Sequence, residues 1–379
     1  MKGFFVHILL MLLFLPCSFT FGGERDSLTA IIESVKEHYA PDERLSVFQI
    51  KIKFDGDILI LTGDVDAPEA KRALLDTLQY CTKAKILDDI TVLPSPTLGE
   101  DRYGIVTLSV ADIRKSPDNR KEMTTQALMG TVVTLMKEGR LFWMVKLPDG
   151  YIGWMKRSAF ARTSKKGIEV WEQSTLAIVT GYFGIVRTSP SDTSIPVSDV
   201  VMGCILMKRD SANGWTAVEL PDGRQGFLRS DLIEDYGAWK QTRNLTPESL
   251  ENTALMFYGF PYLWGGNSIK GFDCSGFTST VYRMNGMELL RDAELQATMG
   301  SDVDASKNFT NLRKGDLLFF GEKATKKKEQ NIKHVAMYLD TLTFIHCAGN
   351  VHYNSFNPKS QYYNSVLLKS FLFAKRILN

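Results

Sequence analysis

The sequence predicts a multidomain protein in which a small α+β unit and two short all-β units precede a C-terminal α+β domain. The chain has 379 residues, which is more than one ordinary domain needs. Between residues 103 and 236, three sequence blocks recur at a constant spacing of 73 residues. The segments on either side mix helical and strand periodicities, which is typical of α+β units.

Composition narrows the classes of function. Lys and Arg number 45 against 43 Asp and Glu, so no strong field favours a nucleic acid as partner. An apolar share of 44% is ordinary for a globular protein. The sequence has neither a zinc motif nor a glycine-rich phosphate loop, so we expect no metal and no cofactor.

Residues 1–22 are predicted to be a secretory signal peptide. The apolar stretch is short and early in the chain, with cleavage expected between about Phe19 and Gly23. A retained membrane anchor is one alternative. Lipid attachment at Cys17 is another, but Pro16 directly before it fits a lipid-attachment site poorly. No second apolar run of membrane length follows. The mature chain is therefore expected to be a monomer without a membrane span, periplasmic or secreted.

Four cysteines remain after the predicted cleavage. They lie far apart and show no disulfide-framework spacing: Cys81, Cys204, Cys274 and Cys347. An exported chain permits disulfides, but this spacing favours free thiols.

Residues 24–95 predict an α-β-β-α-β unit. Apolar residues follow helical spacing in "SLTAIIESVKEHY" and alternate strictly in "VFQIKIKF". Asp55-Gly56 predicts a hairpin turn into "ILILTGDV", a second helix starts near Pro68, and "KILDDITVL" ends the unit. The order resembles the BON-type domain of bacterial envelope proteins, and we interpret it as an accessory module.

The repeat covers two predicted units, residues 103–168 and 174–236. "IRKSPD", "LMGTVVTL" and "LPDGYIGWM" return as "VRTSPS", "VMGCILMK" and "LPDGRQGFL", and the Pro-Asp-Gly turns predict short strands. The "R-x-x-P" opening, the aromatic at Phe142 or Trp215 and the closing "DG-x-x-G-aromatic" resemble bacterial SH3-like barrels. Such modules bind a cell-wall ligand or act as spacers, and repetition alone does not decide between the two.

Residues 245–379 predict the C-terminal domain. Its first helix has Thr246 as N-cap and Pro247 at the first position. Cys274 stands directly before "SGFTSTVYRMNG", which predicts a helix. Three predicted strands follow, "DLLFF", "HVAMYLD" and "TFIHCAG".

Cys274 is either a small buried residue or a nucleophile. A helix N-terminus and an adjacent imidazole both stabilise a thiolate, so the second reading needs a histidine partner. His7 leaves with the signal peptide, and His38 lies on the N-terminal helix. His352 lies in a loop-like segment, where an exposed surface position is expected.

His334 and His346 fit the role of partners. If residues 340 and 341 form the tip of a hairpin, these two histidines are nearly opposite each other on one face. Opposed side chains are close enough for the imidazoles to hydrogen-bond, so that one ring orients the other. This is the nucleophile, base and orienter arrangement of a catalytic triad.

Four blocks in order now identify a family resemblance. "PYLWGGNSIKGFDCSGF", "RKGDLLFF", "HVAMYL" and "FIHCAGNV" resemble the NlpC-type papain-like cysteine peptidases of bacterial cell walls. With two SH3-like modules ahead of them, they are similar to γ-D-glutamyl-L-diamino acid endopeptidases of the dipeptidyl-peptidase VI type. The resemblance implies a papain-like fold, with Cys274 as nucleophile, His334 as base and His346 as the third member.

The resemblance also implies roles in binding. Tyr262 and the N–H of Cys274 would hold the oxyanion. Ala293 stands where such relatives often have serine, which puts one polar contact in doubt. The residues that would contact the stem peptide are Trp264, Asp273, Ser275 and Asp292, together with Glu122 and Tyr151 of the first SH3-like module, which read the free amine.

The expected function is hydrolysis of the γ-D-Glu–diaminopimelate bond in peptidoglycan stem peptides that have a free N-terminal L-Ala. Two alternatives use the same catalytic platform: an endopeptidase acting on intact peptidoglycan, and an acyltransferase or amidase. A catalytically silent wall-binding protein is a third alternative. The presence of Cys274, His334 and His346 together argues against it.

Overall fold

The computed structural model describes residues 23–306, 308–326 and 328–378. The predicted signal peptide, with His7, Cys17 and most of the expected cleavage region, lies outside the described residues. Across the described ranges, no helix is both long and apolar enough to cross a membrane. None of the cysteines within them forms a disulfide, which confirms the prediction of free thiols for those four residues.

The chain separates into two compact units. Of the described residues, the first unit contains those up to Gly99 together with Met136–Glu138, and the second contains Glu100–Leu135 and those from Gly139 onward.

The N-terminal unit has the predicted α-β-β-α-β order. Strands β1 and β2 are antiparallel, and β3 joins β2 in parallel. Leu28 and Ile32 are buried on the stripe that the helical spacing predicts, whereas the hairpin turn is at Gly56–Asp57, one residue later than expected. The likeness to a BON-type domain stays a prediction. The elements are α1 (Gly23–Tyr39), β1 (Phe48–Asp55), β2 (Ile58–Val65), α2 (Pro68–Cys81) and β3 (Lys85–Val92).

The first repeat forms a seven-stranded sheet, which we call barrel 1. Its spatial order is β10-β4-β7-β8-β9-β5-β6. The inward side chains of the alternating strands fill its core, among them Ile113, Val145 and Met155, all fully buried. The strands are β4 (Tyr103–Val106), β5 (Val110–Arg114), β6 (Met123–Leu128), β7 (Val132–Lys137), β8 (Phe142–Lys146), β9 (Ile152–Lys156) and β10 (Phe160–Thr163).

The second repeat, barrel 2, has the same topology. Each strand starts 73 residues after its counterpart, and the spatial order is again that of barrel 1. The predicted duplication is therefore confirmed at the level of strand pairing. The strands are β11 (Leu176–Val179), β12 (Phe183–Arg187), β13 (Pro196–Val201), β14 (Ile205–Ala212), β15 (Trp215–Glu219), β16 (Gln225–Arg229) and β17 (Ile233–Asp235).

Two helices that the sequence analysis missed connect these units. Helix α3 (Lys165–Gln173) joins the barrels, and α4 (Tyr236–Thr242) leaves barrel 2. Ser164 and Asp235 are their N-caps, and each side chain accepts a hydrogen bond from a backbone N–H of the first turn.

The C-terminal domain packs helices on a six-stranded sheet of order β20-β25-β21-β22-β23-β24. Thr246 caps its first helix and Pro247 occupies the first position, as predicted. The longest described helix of this domain, α6, packs on β22 and β23. The elements are α5 (Pro247–Met256), β18 (Asn267–Ser268), β19 (Gly271–Phe272), α6 (Cys274–Met284), α7 (Ala293–Gln296), β20 (Ser301–Val303), β21 (Leu317–Glu322), β22 (Asn331–Asp340), β23 (Thr343–Ala348), β24 (Asn350–Ser355), α8 (Ser365–Ser370) and β25 (Phe371–Arg376).

The hairpin of β18 and β19 leads into α6, and both barrels bind it. Gln126 of barrel 1 accepts hydrogen bonds from the backbone N–H of Asn267 and the hydroxyl of Ser268, each 3.0 Å long. Asp199 of barrel 2 pairs with the Nζ of Lys270 at 2.7 Å. Positions 126 and 199 are 73 residues apart, so the two barrels use equivalent positions. The segment before Cys274 is thus held from both sides.

Candidate active site

Cys274 is the first residue of α6, and its neighbours fix that position. The carboxylate of Asp273 is the N-cap and accepts a hydrogen bond from Gly276 N–H at 2.7 Å. The N–H groups of the first turn have no acceptor within their own helix. The thiol therefore lies at the partially positive end of the helix, as predicted.

A buried arginine that the sequence analysis missed holds this helix start. Arg291 is 2% exposed and binds both carboxylate oxygens of Asp273, at 2.6 and 3.1 Å. It also donates to the hydroxyls of Ser275, at 2.9 Å, and Thr125 of barrel 1, at 2.7 Å. Two-point pairing suits the planar guanidinium, and it neutralises a charge that burial would otherwise disfavour. Asp273 and Ser275 are both buried, and contact of either side chain with a substrate stays a prediction.

Strand β22, which packs on α6, brings His334 into the neighbourhood of Cys274. Burial raises the pKa of the Cys274 thiol, and the backbone N–H of Val335, which follows His334 directly, is among the groups that oppose this rise. Nε2 of His334 lies 2.7 Å from Nδ1 of His346, so the predicted hydrogen bond between the two rings is present. His346 is 1% exposed, and its Nε2 lies 3.1 Å from Oδ1 of Asn354.

The hairpin register differs from the expectation. The turn is at Thr341 and Leu342, both with positive φ, and an irregularity follows Tyr338. Met337 pairs with Ile345, so His334 and His346 are diagonal neighbours on one face and not directly opposed. Diagonal pairs are still within reach of ring side chains.

His352 is placed differently from its predicted surface loop. It lies on β24, directly opposite His346, with ring centroids 4.6 Å apart. Its Nδ1 contacts Asn350 O at 2.9 Å. Burial is the main cause that lowers the pKa of His334 and of His346, and the neighbouring His352 lowers both further, so this third ring contributes to the electrostatics of the pair.

Burial favours the uncharged forms of both reacting groups. Cys274 is 9% exposed, and burial raises the pKa of its thiol to about 12, with Asp273 adding to the rise. The N–H groups of Val335 and Ser275 oppose that rise. Burial lowers the pKa of His334 to about 4. The resting pair is therefore a thiol and a neutral imidazole, which is the form a general base requires.

The pH profile of kcat/KM is expected to lack an acid limb near pH 6.5. His334 must be unprotonated to accept the thiol proton, and its pKa is lowered to about 4 by burial, with His352 reinforcing and Asp273 opposing. Activity should therefore persist as pH falls through 6.5 and be lost nearer pH 4. A profile recorded between about pH 4 and 9 tests this. Two results would contradict this expectation. One is a fall in kcat/KM at alkaline pH caused by deprotonation of an imidazolium in the resting enzyme, and the other is a fall on the acid side at pH 6.5 or above.

The backbone of Tyr262 lies beside the segment that leads to Cys274, and its role in holding the oxyanion stays a prediction. Its backbone bridges to Phe272, two residues before Cys274, and its N–H donates to Gly349 O at 2.8 Å. Burial raises the pKa of Tyr262 to about 12, and the nearby Cys274 and Asp273 add to the rise. The phenol therefore stays protonated near neutral pH and can donate to an oxyanion.

The residues predicted on barrel 1 meet those predicted on the C-terminal domain. The indole N–H of Trp264, a side chain 62% exposed, donates to Oε1 of Glu122 at 2.8 Å. The hydroxyl of Tyr151 donates to Oδ2 of Asp292 at 3.3 Å. Glu122 is exposed, whereas Tyr151 is buried. The structure thus groups these four residues in pairs across the two domains, and their contact with a substrate stays a prediction.

Comparisons with known proteins agree with this site. A model of the NlpC/P60 family matches residues 259–371, and a model of the bacterial dipeptidyl-peptidase Sh3 domain matches residues 113–160. A gamma-D-glutamyl-L-lysine dipeptidyl-peptidase from Bacillus cereus is 32% identical over 266 residues, covering 67% of this chain and 76% of the relative. Dipeptidyl-peptidase 6 from Lysinibacillus sphaericus is 30% identical over 274 residues, covering 69% of this chain and 95% of the relative.

A solved structure agrees as well. The crystal structure of an NlpC/P60 family protein from Bacillus cereus superposes with a TM-score of 0.62 at 25% identity, covering 73% of this chain and all of that one. Most of barrel 1 and of the C-terminal domain, including the thiol at the start of α6, lies within the residues that the two family models match. The chain belongs to the NlpC/P60 family of cell-wall cysteine peptidases, with a catalytic domain that follows SH3-like β domains.

Proposed function

We propose that this peptidase hydrolyses the γ-D-Glu–diaminopimelate bond of peptidoglycan stem peptides whose N-terminal L-Ala is free. Cys274 is the nucleophile, His334 the base and His346 the orienting third member. The main support for the proposal is the contact between barrel 1 and the catalytic domain beside the helix that starts at Cys274. Two hydrogen-bonded pairs form this contact, Glu122 with Trp264 and Tyr151 with Asp292. The enzyme acts outside the cytoplasm, in the periplasm or after secretion.

The reaction begins with attack of the Cys274 sulfur on the γ-carbonyl carbon of D-Glu, while His334 accepts the thiol proton. The N–H of Cys274 and the hydroxyl of Tyr262 stabilise the oxyanion of the tetrahedral intermediate. His334 then donates its proton to the leaving amine of the diamino acid, which leaves a thioester on Cys274. Water, activated by His334, hydrolyses the thioester and restores the thiol.

Charge supports the preference for a free amine. Glu122 and Asp292, which pair with Trp264 and Tyr151 across the two domains, both have carboxylates. Arg291 lies 4.0 Å from Asp292 but is bound by both carboxylate oxygens of Asp273, so Glu122 supplies the clearer negative charge. An α-ammonium group complements that charge. An alanine that is still amide-linked to the glycan has no charge at this nitrogen and brings extra bulk to the wall formed by barrel 1.

The names of the relatives leave the third stem residue open. The Bacillus cereus relative is named for γ-D-glutamyl-L-lysine, whereas the sequence resemblance led to diaminopimelate. Both are diamino acids, so peptides with either residue belong in the assay.

We expect the purified protein to cleave free L-Ala-γ-D-Glu-diaminopimelate and to spare both its N-acetylated form and the intact sacculus. Glu122→Gln should raise KM for the free peptide roughly fivefold, because an exposed ion pair contributes about 1 kcal/mol or less. The same change should leave the N-acetylated peptide uncleaved. Mass spectrometry of side-by-side digests, with steady-state kinetics on the free peptide, measures both effects.

Glu169→Gln provides a matched control for that experiment. Glu169 is also an exposed glutamate, but it lies on α3, and its replacement should leave KM unchanged. Comparable cleavage of the free peptide, the acetylated peptide and the sacculus would contradict the proposal and identify an endopeptidase of intact peptidoglycan. Products that carry an added acyl group would identify an acyltransferase instead.

A further inference from the structure

A chain of hydrogen bonds continues beyond the two catalytic histidines. Nδ2 of Asn364 donates to Oδ1 of Asn354 at 2.9 Å. The same Oδ1 lies 3.1 Å from Nε2 of His346, and Nδ1 of His346 lies 2.7 Å from Nε2 of His334. We call Asn364, Asn354, His346 and His334 the relay. Each of its contacts has one donor and one acceptor, so fixing one end fixes the direction of all of them.

Backbone groups fix the orientation of the Asn364 side chain, at one end of the relay. Asn364 is the N-cap of α8, where its Oδ1 accepts the N–H groups of Val366 and Leu367 at 3.1 and 3.0 Å. Its Nδ2 must therefore be the group that meets Asn354. Nδ2 of Asn354 in turn donates to the carbonyl oxygen of Tyr353 at 2.7 Å. Both side-chain amides are thus oriented by backbone groups that can only donate, as N–H groups do, or only accept, as a carbonyl oxygen does.

The direction of these hydrogen bonds then determines which nitrogen of each imidazole ring carries the proton. Oδ1 of Asn354 has no hydrogen, so Nε2 of His346 must carry the proton. Burial lowers the pKa of His346 well below its usual value, so the ring is neutral and its Nδ1 presents a lone pair. Nε2 of His334 must then be the donor in the contact between the rings, which leaves the lone pair of His334 on Nδ1.

We propose that Asn354 and Asn364 are positioning residues that set the tautomers of both histidines and so make Nδ1 of His334 the nitrogen that accepts the Cys274 proton. This inference rests on the proposed role of His334 as base. The reversed relay would place a proton on Nδ1 of His334, where no base would remain for the thiol. A hydrogen-bonded partner that fixes a tautomer is a recurrent requirement of catalytic imidazoles.

Asn364→Asp tests the direction of the relay. Aspartate keeps the oxygen that caps α8 but replaces the Nδ2 donor with a charged acceptor that repels Oδ1 of Asn354. We expect this repulsion to outweigh the hydrogen bond of Asn354 to the Tyr353 carbonyl, so that the Asn354 amide turns over and both tautomers reverse. We expect kcat to fall about 10- to 100-fold, the size of effect that outer hydrogen-bond partners have on oriented imidazoles, with KM nearly unchanged. Asn354→Leu, which removes the acceptor oxygen, should lower kcat to a similar extent. Asn354→Asp, which keeps an acceptor oxygen, should stay within about threefold of wild type.

The full-length protein labelled with ¹⁵N gives a readout independent of turnover, because imidazole nitrogen shifts report which nitrogen carries the proton. Wild type should show both histidines protonated at Nε2, and Asn364→Asp should show His334 protonated at Nδ1. Asn364→Ser keeps the helix cap and removes the donor, so it replaces Asn364→Asp if that variant is unfolded. Asn357→Asp is the matched control, since this asparagine caps Lys359 N–H in the following turn.

Unchanged tautomers and unchanged kcat in Asn364→Asp and Asn354→Leu would overturn the relay. A rise in KM at constant kcat would also overturn it, because the relay contacts the base and not the substrate. Failure of the proposed function is distinguishable. In that case wild type would not cleave the stem peptide, although the nitrogen shifts would still follow the predicted tautomers.

Discussion

Cys274→Ser is expected to lower kcat/KM for the stem peptide by about 10³-fold or more while leaving the fold intact. A serine hydroxyl is a far weaker nucleophile than a thiol that loses its proton during attack. The substitution changes one atom in a buried position at the start of α6, so packing should persist. Kinetics on the free peptide, with thermal unfolding of both proteins, measure the effect.

Cys347→Ser is the matched control. Cys347 is also buried and free of a disulfide, and its thiol donates to Phe272 O at 3.2 Å, a contact that a hydroxyl can keep. This variant should retain most of the activity. Labelling with a thiol-directed alkylator is best done on a Cys81→Ser background, because Cys81 is partly exposed and competes with Cys274. Appreciable turnover by Cys274→Ser would exclude Cys274 as the nucleophile.

His334→Ala is expected to remove nearly all activity, about 10³-fold or more, whereas His346→Ala should leave a measurable remainder. The first substitution removes the group that accepts and returns the proton. The second removes only its orienting partner, so a free imidazole still samples the productive tautomer. Comparison of kcat for the two variants under identical conditions separates the roles.

His352→Ala is the control for that comparison. It removes a ring that packs on His346 at 4.6 Å but is not part of the relay, so activity should stay within about threefold. A fully active His334→Ala would refute the triad. Equal and complete losses in His334→Ala and His346→Ala would contradict the division into base and orienter.

The positions of Cys274, His334 and His346 could be predicted from the sequence because each one leaves a local signal. Cys274 stands where a helix begins, and the alternation in "HVAMYL" and "TFIHCAG" puts both histidines on one face. The repeat spacing likewise predicted the two barrels, since strand pairing follows the sequence register there. Local periodicity was sufficient for these features.

The supporting groups could not be predicted in this way. Arg291 reads as an ordinary charged residue in "LLRDAELQA", and only the tertiary fold buries it against Asp273 and Thr125. Asn354 and Asn364 lie in polar, turn-rich sequence, and their roles depend on the direction of hydrogen bonds between separate elements. The hairpin tip was misplaced by one residue because positive φ at Thr341 and Leu342 is not favoured by either residue type.

The duplicated barrels illustrate how a second copy of a module frees both copies to specialise. Positions 126 and 199 kept a common task, anchoring the hairpin before the nucleophile. Elsewhere the copies diverged. Glu122 and Tyr151 correspond to Ile195 and Arg224, and Arg224 turns back to Asp222 of its own loop. One copy of the repeated segment thus uses its divergent positions to contact the catalytic domain, whereas the other turns the matching arginine back to its own loop, and both keep the same fold.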